Sequence, residues 1–522
     1  MKRVFLMIAV YLFAASLCSA QSWQFVGPRA MGMGGAGVAT AYGPDAQYWN
    51  PAGLAQEEDV NETGFLINAG ASLESTKNIL ETISNITEMS DQYERLSDNI
   101  TNNANISAEN ISTIFTGFND ISKIVNKKTG ALVNADAGLG IKIKNFAVSA
   151  RAIGTGSIMA SVDTQRIKFN TSGTGLQIGS PTATLSPENQ TTAEKLAAAI
   201  DSYNLFSSLQ TLLDATSCSD SLQLATALID SAASYGASEQ DIARAIDISI
   251  ANMGGASDII HLADEATGSY KDNETVAMAD AAAFGEVSLG YGMQVYKGVK
   301  VGGNIKVLSG YTAQNGVMIL EDNEKIEDIL DKTNENKKRS TNLGIDIGAL
   351  VNFSQLLEKD ILFNPQFGLT ARNINGPKFD RPDLPAGTNP AVAANWRTDK
   401  YQLKPQLRAG AAVNPFNWMT FAADLDITEN ETMLEGVKSR QLALGVEFNL
   451  VNSQKFNLPL RLGYNRNLAA SDMSPFYTAG IGFNMLHFFV EFAGAVSNKT
   501  NKIEGKDIPS SAGASLTLGF LF

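Results

Sequence analysis

The residue patterns in this chain that could support chemistry are few, and the first is rich in glycine. Gly32, Gly34 and Gly37 match the GxGxxG spacing of a dinucleotide-binding loop. That loop holds a pyrophosphate only where it joins a β-strand to a helix in a βαβ unit, and no strand pattern precedes Gly32. The match is therefore coincidental, and no nucleotide cofactor is expected.

Catalytic and metal-binding chemistry is equally weakly supported. His261 and His487 are the two histidines, and neither has an evident Ser or Cys partner, so a His-dependent hydrolase is not expected. Asp424, Asp426 and Asn430 have the spacing of a calcium loop, but the glycine required at its sixth position is absent. The sequence predicts a protein that is not an enzyme and binds no metal or other cofactor.

Charge and cysteine content narrow the range of partners. The chain carries 40 Lys and Arg residues against 54 Asp and Glu residues, a net charge of −14, and no basic patch suggests nucleic acid. Lys337, Lys338 and Arg339 lie in a predicted outward loop, where a solvated charge run is the preferred interpretation and contact with anionic lipopolysaccharide is the alternative. Cys218 is the only cysteine after residue 20, which excludes an internal disulfide and a CxxC motif.

The elements that must position these residues are β-strands. In residues 511–522, Leu516, Leu518, Phe520 and Phe522 share one face, and small or polar residues occupy most of the other. An apolar strand face that ends on an aromatic residue is typical of bacterial outer-membrane barrels, so this face is predicted to meet lipid. No run after residue 20 approaches the ~20 apolar residues of a membrane helix, which leaves strands as the membrane-crossing elements.

Alternation with a period of two recurs along the chain and predicts an all-β transmembrane barrel of about fourteen antiparallel strands. Predicted connections are short after even-numbered strands and mostly longer after odd-numbered ones, as in an up-and-down barrel with both termini in the periplasm. The alternative, a soluble β-sandwich, does not require this pattern. The predicted strands are 62–73, 131–141, 144–154, 283–295, 298–308, 342–353, 362–372, 403–413, 418–427, 440–450, 457–466, 475–485, 487–496 and 511–522. Aromatic residues near the short turns predict a periplasmic girdle of Tyr296, Phe363, Phe416, Trp418, Phe456, Phe483, Phe488, Phe489, Phe520 and Phe522.

Other segments of the chain do not read as strands. Residues 1–20 combine a basic start, an apolar run and a small-residue cleavage site, a secretory signal peptide that implies export to the bacterial outer membrane. Within the barrel domain, residues 61–522, the segments from about 74 to 126 and from about 186 to 266 place apolar residues at helical spacing. They are predicted to be helical extracellular inserts that pack on each other and on the barrel rim, with partner docking as the alternative.

Residues 21–60 do not alternate and are predicted to form a plug, or hatch, inside the barrel. Fourteen strands enclose a bore too wide for wall side chains alone to fill. Glycines in the hatch and on the inner wall would let the two backbones approach closely, and Asn50, Pro51 and Ala52 are predicted to form a fixed turn against the wall. The lumen is also predicted to be charged, which makes it a poor surface for a hydrocarbon tail. The predicted lumen charges are Asp136, Arg151, Glu286, Lys306, Arg372, Lys404, Arg408, Asp424, Asp426, Arg461 and Glu491.

Two motifs in the hatch carry a family resemblance. The runs GPRAMGMGGAGVA, residues 27–39, and YWNPAGL, residues 48–54, resemble the start of the FadL-like outer-membrane proteins, in which a hatch with an Asn-Pro-Ala motif sits in a fourteen-stranded barrel. Within that superfamily the chain is most similar to the TraF-like barrels named after plasmid-transfer operons. The hatch residues that carry the match are Arg29, Gly32, Gly34, Gly35, Gly37, Asn50, Pro51 and Ala52.

The resemblance implies a hatch that gates passive uptake of apolar or amphipathic small molecules. It also implies that Phe522, with Phe520, is recognised by the barrel-assembly machinery. Because the predicted lumen is charged, a ligand would need apolar surface from the hatch and rim, although hatch packing is the preferred role for each residue that could provide it. These candidate contacts are Trp23, Phe25, Met31, Met33, Tyr48 and Trp49.

Two functions remain open at this point. The first is a gated channel for a hydrophobic or amphipathic small molecule, surrounded by outer-membrane lipid and lipopolysaccharide. The second is a non-transporting surface or accessory component of a conjugation or secretion apparatus, with the helical inserts docking a partner. The hatch motif favours the first function, and the polar lumen favours the second.

Overall fold

A computed structural model describes residues 23–56, 63–76, 112, 115–116, 119, 130–167, 184–213, 215–234, 236–262, 265–268, 272–318, 336–453, 455–503 and 506–522. Fourteen strands form one closed barrel in which neighbours are antiparallel. The first and last of these strands pair with each other, from Gly64 opposite Leu521 to Glu74 opposite Ser511. The predicted fold class, a transmembrane barrel of about fourteen strands, is confirmed, while the signal peptide lies outside the described residues and stays a prediction.

Strands are numbered in chain order. The barrel consists of β1 (Thr63–Ser75), β2 (Gly130–Ile143), β3 (Phe146–Ser161), β4 (Val276–Tyr296), β5 (Val299–Met318), β6 (Lys337–Asn352), β7 (Gln366–Arg372), β10 (Gln406–Phe416), β11 (Met419–Asp426), β14 (Gln441–Asn452), β15 (Phe456–Asn467), β16 (Phe476–Met485), β17 (Phe488–Ser497) and β20 (Ser511–Leu521). Three hairpins stand apart from it: β8 (Lys378–Phe379) with β9 (Tyr401–Gln402), β12 (Asn430–Glu431) with β13 (Lys438–Ser439), and β18 (Thr500–Ile503) with β19 (Lys506–Pro509).

The helices belong to the hatch and to the connections. The hatch contains α1 (Pro28–Gly32), α2 (Ala46–Trp49) and a 3₁₀ turn (Pro51–Ala55). The long connection between β3 and β4 contains α3 (Pro187–Ser202), α4 (Phe206–Leu212), α5 (Ser221–Ser234) and α6 (Glu239–Leu262). Two further short helices are α7 (Phe353–Leu357) and α8 (Pro390–Ala394). In the described segments, no helix is long and apolar enough to span a membrane.

The two faces of the barrel wall differ in the way that the alternation predicts. Outward-facing Ile305 and Leu343 are 62% and 59% exposed, whereas Lys306, the next residue after Ile305, is 1% exposed. Successive side chains of a strand point to opposite faces, so an unbroken period of two sends apolar residues to the lipid and charges to the lumen. All the predicted lumen charges except Lys404 are buried.

Three placements differ from the sequence prediction. Lys404 is exposed and pairs with Glu431, because the chain enters β10 only at Gln406. The basic run 337–339 lies in β6 rather than in a loop, because β3 to β6 extend past their predicted ends, where small and polar residues replace the apolar alternation. Phe489 is not part of the outer girdle, since it faces the lumen and lines a cavity beside the hatch.

Aromatic side chains gather on the outside of the barrel at its short-turn end. The rings of Phe416 and Trp418 stack with centroids 5.2 Å apart, and those of Phe488 and Phe520 lie 5.3 Å apart. Phe522 is 58% exposed at the same end. Amphipathic and aromatic rings favour the interface between hydrocarbon and water, so this ring of residues is suited to mark one edge of the membrane.

The connection between β3 and β4 forms a helical cluster on the opposite end of the barrel. Apolar residues of α3 to α6, such as Leu196 and Ile246, are buried in one core with Ala277 of β4 and Val317 of β5. Phe115 joins the same core, although most of the segment 74–126 lies outside the described residues. In the structure, the helices of residues 186–266 therefore pack on each other and on the barrel rim, as predicted.

Candidate functional site: the hatch and its seat in the barrel

The hatch, residues 23–56, is a compact segment with little regular structure. Pro28 starts α1, where its fixed φ suits the first helical turn and its missing N–H costs nothing. Gly34 and Gly35 then reverse the chain with φ of 68° and 91°, a region that residues with a Cβ rarely adopt. The glycines that matched GxGxxG therefore shape a turn that packs on the barrel wall.

Glycines of the inner wall let the hatch backbone press against the strands. A methyl group added at Gly445 would lie 2.5 Å from Cβ of Met33 and 2.6 Å from its carbonyl oxygen. One added at Gly292 would lie 2.8 Å from the amide nitrogen of Ala55. Both distances are far inside van der Waals contact, so only glycine fits. We call the wall glycines in contact with the hatch the glycine seat: Gly292, Gly302, Gly348, Gly368, Gly410, Gly445, Gly463 and Gly480.

The Asn-Pro-Ala motif forms the fixed turn that the sequence predicts. The Asn50 side chain accepts a hydrogen bond from the Ala52 amide at 3.1 Å, while Pro51 begins the 3₁₀ turn. Its side-chain amide donates to the carbonyl oxygen of Ala349 in β6 at 3.0 Å and to that of Val38 at 3.1 Å. Asn50 is fully buried, so one side chain closes the turn, ties two hatch segments together and anchors both to the wall.

Wall side chains also bind the turn made by the hatch glycines. Asp424 Oδ2 accepts hydrogen bonds from the backbone amide of Gly37 at 2.8 Å and from the next amide at 2.9 Å. The Thr478 hydroxyl accepts from the Gly34 amide and donates to the Gly32 carbonyl oxygen, both at 3.0 Å. Asp424 was predicted only to face the lumen, because alternation gives a side chain's direction but not its partner.

A chain of ion pairs continues from the hatch into the wall. Arg29 Nε lies 3.2 Å from Glu447 Oε2, and its Nη1 donates to the Thr40 carbonyl oxygen at 2.7 Å. The same Glu447 carboxylate accepts from Arg461 Nε at 2.7 Å, and Arg461 Nη2 bonds Glu491 Oε1 at 2.8 Å. Buried charges are tolerated when they are paired and hydrogen-bonded, and Arg29 is thus part of a network that the wall already contains.

Arginine side chains of the barrel wall lie over aromatic rings of the hatch. The Trp23 and Trp49 rings stack at 6.0 Å, and Tyr48 meets Trp49 edge-on at 5.2 Å. The Arg372 guanidinium lies 4.0 Å from the Tyr48 ring centroid, and that of Arg408 lies 4.6 Å from Trp23. Aromatic faces attract cations, most strongly away from water, so these rings help to stabilise the buried guanidinium groups.

The six candidate ligand contacts are not gathered around one cavity. Met31 and Met33 are buried in small apolar clusters with alanines of the wall. Trp23, Phe25 and Trp49 line one narrow cavity of about 10 Å³, together with Glu74 and Arg408. Tyr48 lines another of about 20 Å³ with Phe284, Leu308, Lys306 and Arg372. The predicted preference for hatch packing over ligand contact agrees with this arrangement, and ligand contact stays a prediction.

A cavity of about 80 Å³ lies beside the hatch toward the short-turn end of the barrel and opens to solvent. Hatch residues Tyr42 and Asp45 and wall residues Leu66, Phe489 and Glu491 contribute to its lining. Its surface combines apolar and charged groups, which suits an amphipathic molecule better than a pure hydrocarbon.

The lumen is also closed from the opposite end, which the sequence did not indicate. The Phe379 ring contacts Phe284 of the inner wall at 4.2 Å, and Asp280 of the wall accepts from Arg381 at 3.3 Å and from Arg397 at 3.0 Å. Nearby at the loop surface, the hydrogen bond from Lys400 lowers the pKa of the Asp380 carboxyl. Further apolar residues complete this cover: Tyr401, Leu403, Met433, Leu434 and Val437.

Both histidines have local structural partners. The expectation that His261 lacks a Ser partner was wrong, because packing of α4 on α6 brings Ser208 Oγ within 3.3 Å of its Nδ1. His487 Nδ1 lies 2.8 Å from the Leu521 carbonyl oxygen, and its ring stacks on Phe522 at 5.0 Å. Across the residues that the structure describes, no three His, Cys, Asp or Glu side chains are grouped to hold a metal. The Ser208 and His261 pair lies in the helical cluster and not in the lumen.

A protein-family model described as "F plasmid transfer operon, TraF, protein" matches residues 47–426. The chain belongs to this TraF family. The match to the TraF family starts in the hatch, includes the Asn50 turn, and continues through the barrel to the end of β11. The predicted resemblance to the TraF-like barrels is therefore confirmed.

Several solved structures match the chain at 10% identity or less, and no curated protein matches it. The Ralstonia pickettii toluene transporter TbuX has 10% identity and a TM-score of 0.40, over 95% of this chain and 98% of that one. The P. putida toluene transporter TodX has 9% identity and a TM-score of 0.39, over 97% and 99%. A Pseudomonas aeruginosa FadL homologue has 8% identity and a TM-score of 0.39, over 97% and 99%.

Proposed function

We propose that this protein is an outer-membrane channel whose hatch gates the passive passage of small amphipathic molecules. The observation that carries the proposal is the way in which the hatch is held. It occupies the lumen, and its described contacts with the wall combine hydrogen bonds, ion pairs and glycine contacts with small apolar clusters around Met31 and Met33, all of them non-covalent contacts that can break and re-form. A segment that served only to fill the lumen would not need glycine at so many wall positions in contact with it.

The chemistry of the lumen supports an amphipathic solute. Lys306 lies between Asp346 at 2.9 Å and Glu286 at 3.5 Å, so the charges of this region of the wall are compensated. Phe284 and Leu308 line the same cavity and provide apolar surface beside these polar groups. A solute with both an apolar body and a polar group can use both surfaces, whereas a pure hydrocarbon would have to desolvate the polar ones without compensation.

Passage requires movement, because the described lumen is closed at both ends. The hatch closes the end with the short turns, and the loops that carry Phe379 and Arg381 cover the other. A solute would first displace the loop cover and then pass the hatch toward the cavity lined by Tyr42 and Phe489. In this orientation the helical cluster faces the cell exterior, and residues 1–20 serve as the export signal.

The second candidate function is a surface role in a conjugation or secretion apparatus. The observation that favours it is the helical cluster of α3 to α6, which extends the barrel beyond its wall and shares a core with the ends of the barrel strands. Such a cluster could present a rigid surface to a partner. A channel and a docking surface can coexist in one barrel, so the decisive measurement is transport itself.

The test is solute flux into proteoliposomes. The full mature chain is compared with a form that lacks residues 21–44, using benzenesulfonate as the amphipathic probe, because its permanent charge prevents unaided passage through lipid, and glucose as a polar control. We expect slow, saturable entry of benzenesulfonate through the full chain, and faster, unselective entry of both solutes through the truncated form. Absence of flux through both forms, with folded barrels verified by heat-modifiable gel mobility, would remove the channel function.

A further inference from the structure

The outward face of β5 and β6 changes character along its length. Ile305, Val307, Leu343 and Ile345 are exposed on the outside of the wall, as expected for a surface in contact with lipid. Farther from the short turns, the same face carries first Ser309 and Thr341, then Tyr311 opposite Arg339, and then Ala313 opposite Lys337. The apolar band is thus followed by a polar pair, an aromatic and guanidinium pair, and a lysine, which we call the β5–β6 basic face: Ser309, Tyr311, Lys337, Arg339 and Thr341.

Strand geometry places this face at the membrane surface. Val351 pairs with Val299 beside the short turn between β4 and β5, and Arg339 lies about twelve residues farther along β6. With a rise of about 3.3 Å per residue and a strand tilt of about 40°, Arg339 stands about 30 Å above that turn. The apolar band of outer-membrane barrels is about 25 Å tall, so the guanidinium lies just beyond the hydrocarbon, at the level of lipid headgroups.

The arginine is held against the wall. Its Nε and Nη2 donate to Ser309 Oγ at 3.3 and 3.1 Å, and its guanidinium lies 5.6 Å from the Tyr311 ring centroid. The Lys337 amine lies 6.0 Å from the same ring. Both basic side chains are exposed, and in the described part of the chain Arg339 forms no ion pair. Two cations are thus arranged around one aromatic ring with the charge of Arg339 uncompensated by a carboxylate.

Lys338, which lies between Lys337 and Arg339 in the sequence, differs from them in the direction of its side chain. It points to the other face of β6, and its amine pairs with Asp383 at 2.6 Å. Lys338 is thus neutralised by a loop carboxylate, whereas the side chains of Lys337 and Arg339 lie on the outward face of the strand. The sequence favoured a solvated charge run in a loop, and the structure instead places the run in β6, where alternation separates the three side chains.

We propose that the β5–β6 basic face binds a phosphate of lipid A, the membrane anchor of lipopolysaccharide. A guanidinium with fixed orientation suits the bidentate recognition of phosphate oxygens, and the lysine adds a second charge within reach. The apolar residues below this face, Val307 and Leu343, would contact the acyl chains of the same molecule. The site therefore has a charged part and an apolar part in the order in which lipid A presents its own.

The inference does not depend on the channel function, but it requires that the helical cluster faces the cell exterior. The test is binding of purified full chain to lipid A by native mass spectrometry, with the variants Arg339→Ala, Lys337→Ala/Arg339→Ala and, as matched control, Lys338→Ala. A basic residue near a membrane surface contributes about fivefold in affinity, so we expect about fivefold weaker binding for the single variant and about 25-fold for the double variant. Lys338→Ala should remain within about twofold of the original chain.

Lipid specificity distinguishes this site from any other source of phosphate. Lipid A from which both phosphates have been removed should bind the original chain as weakly as the double variant binds intact lipid A. Equal affinity of the original chain for phosphatidylglycerol and lipid A would overturn the proposal, as would an unchanged affinity in the double variant. If the alanine variants fail to give a folded gel band, Lys337→Gln/Arg339→Gln and the charge-retaining Arg339→Lys replace them, and the latter should keep most of the binding.

Discussion

Replacing Gly445 with Ala should release the hatch from the wall without disturbing the barrel. The new methyl group would lie 2.5 Å from Cβ of Met33, whereas carbon atoms in contact stay about 3.5 to 4.0 Å apart. The hatch must therefore retreat by about 1 Å at this point. The bonds between Asp424 on the neighbouring strand and the hatch amides, now 2.8 and 2.9 Å long, would then approach the limit of hydrogen bonding.

The size of the expected effect follows from the free-energy cost of adding a methyl group to a packed site. An added methyl group in a well-packed region costs about 1 to 3 kcal/mol, and a middle value of about 2 kcal/mol corresponds to a change of about 30-fold in an equilibrium constant. The barrel keeps its own strand-to-strand hydrogen bonds, since the hatch contributes none of them. The population of the hatch detached from its seat should therefore rise by about 30-fold while the barrel stays folded.

Hydrogen exchange measured by mass spectrometry can detect this change. Peptides from residues 28–38 should exchange about 30-fold faster in Gly445→Ala, whereas peptides from β14 and its neighbours should keep their protection. Gly285→Ala is the matched control, because it adds the same methyl group to a barrel strand at a position with nothing within 4 Å. Equal protection of the hatch in Gly445→Ala and in the original chain would refute the inference that the glycine seat holds it.

Three further changes test other parts of the structure. Asn50→Leu removes the side-chain bonds to Ala349 and Val38 and leaves buried carbonyl groups unpaired, at about 1 to 3 kcal/mol each, so single-channel recordings should show an unstable closed baseline while the folded gel band persists. A closed baseline like that of the original chain would contradict the anchoring role. Deletion of Phe522 should reduce the assembled barrel far more than Leu521→Ser does, and equal assembly of the two would exclude a special role for the terminal aromatic. Protease added to intact cells should cut within residues 186–266, whereas protection of this segment until lysis would mean that the helical cluster does not face the exterior.

The barrel could be predicted from the sequence because its signal is local. The alternation of apolar and polar residues, as in Ile305 and Lys306, shows which side of each strand faces lipid. No knowledge of distant residues is needed to identify that side. The role of the hatch glycines could also be predicted, since Gly34 and Gly35 indicate either a tight turn or a close approach of two backbones. The strands β3 to β6 were predicted too short because above the lipid their outward residues no longer need to be apolar.

The partners within the lumen could not be predicted in the same way. Asp424 and Gly37 are separated by 387 positions, and alternation shows only that such a side chain points inward. The loop cover was missed for a related reason, because Phe379 and Tyr401 lie in irregular segments whose direction no period determines. Lys404 was placed in the lumen because the strand was predicted to begin at residue 403, whereas β10 begins at Gln406, so strand alternation does not direct this side chain.

The pairing of β1 with β20 constrains the order of assembly. These strands stand at opposite ends of the described chain, so their pairing has a large loop-closure entropy and belongs to the late events of folding. The hatch precedes β1, yet its partners Asp424, Glu447 and Thr478 lie in β11, β14 and β16. The hatch can contact β1 to β6 earlier, for example through Asn50 and Ala349 of β6, but its remaining partners appear only with the later strands, and before the ring closes two strand edges remain unpaired. The hatch therefore completes its docking as the barrel closes. No stage of assembly is expected to have a closed barrel with an open lumen.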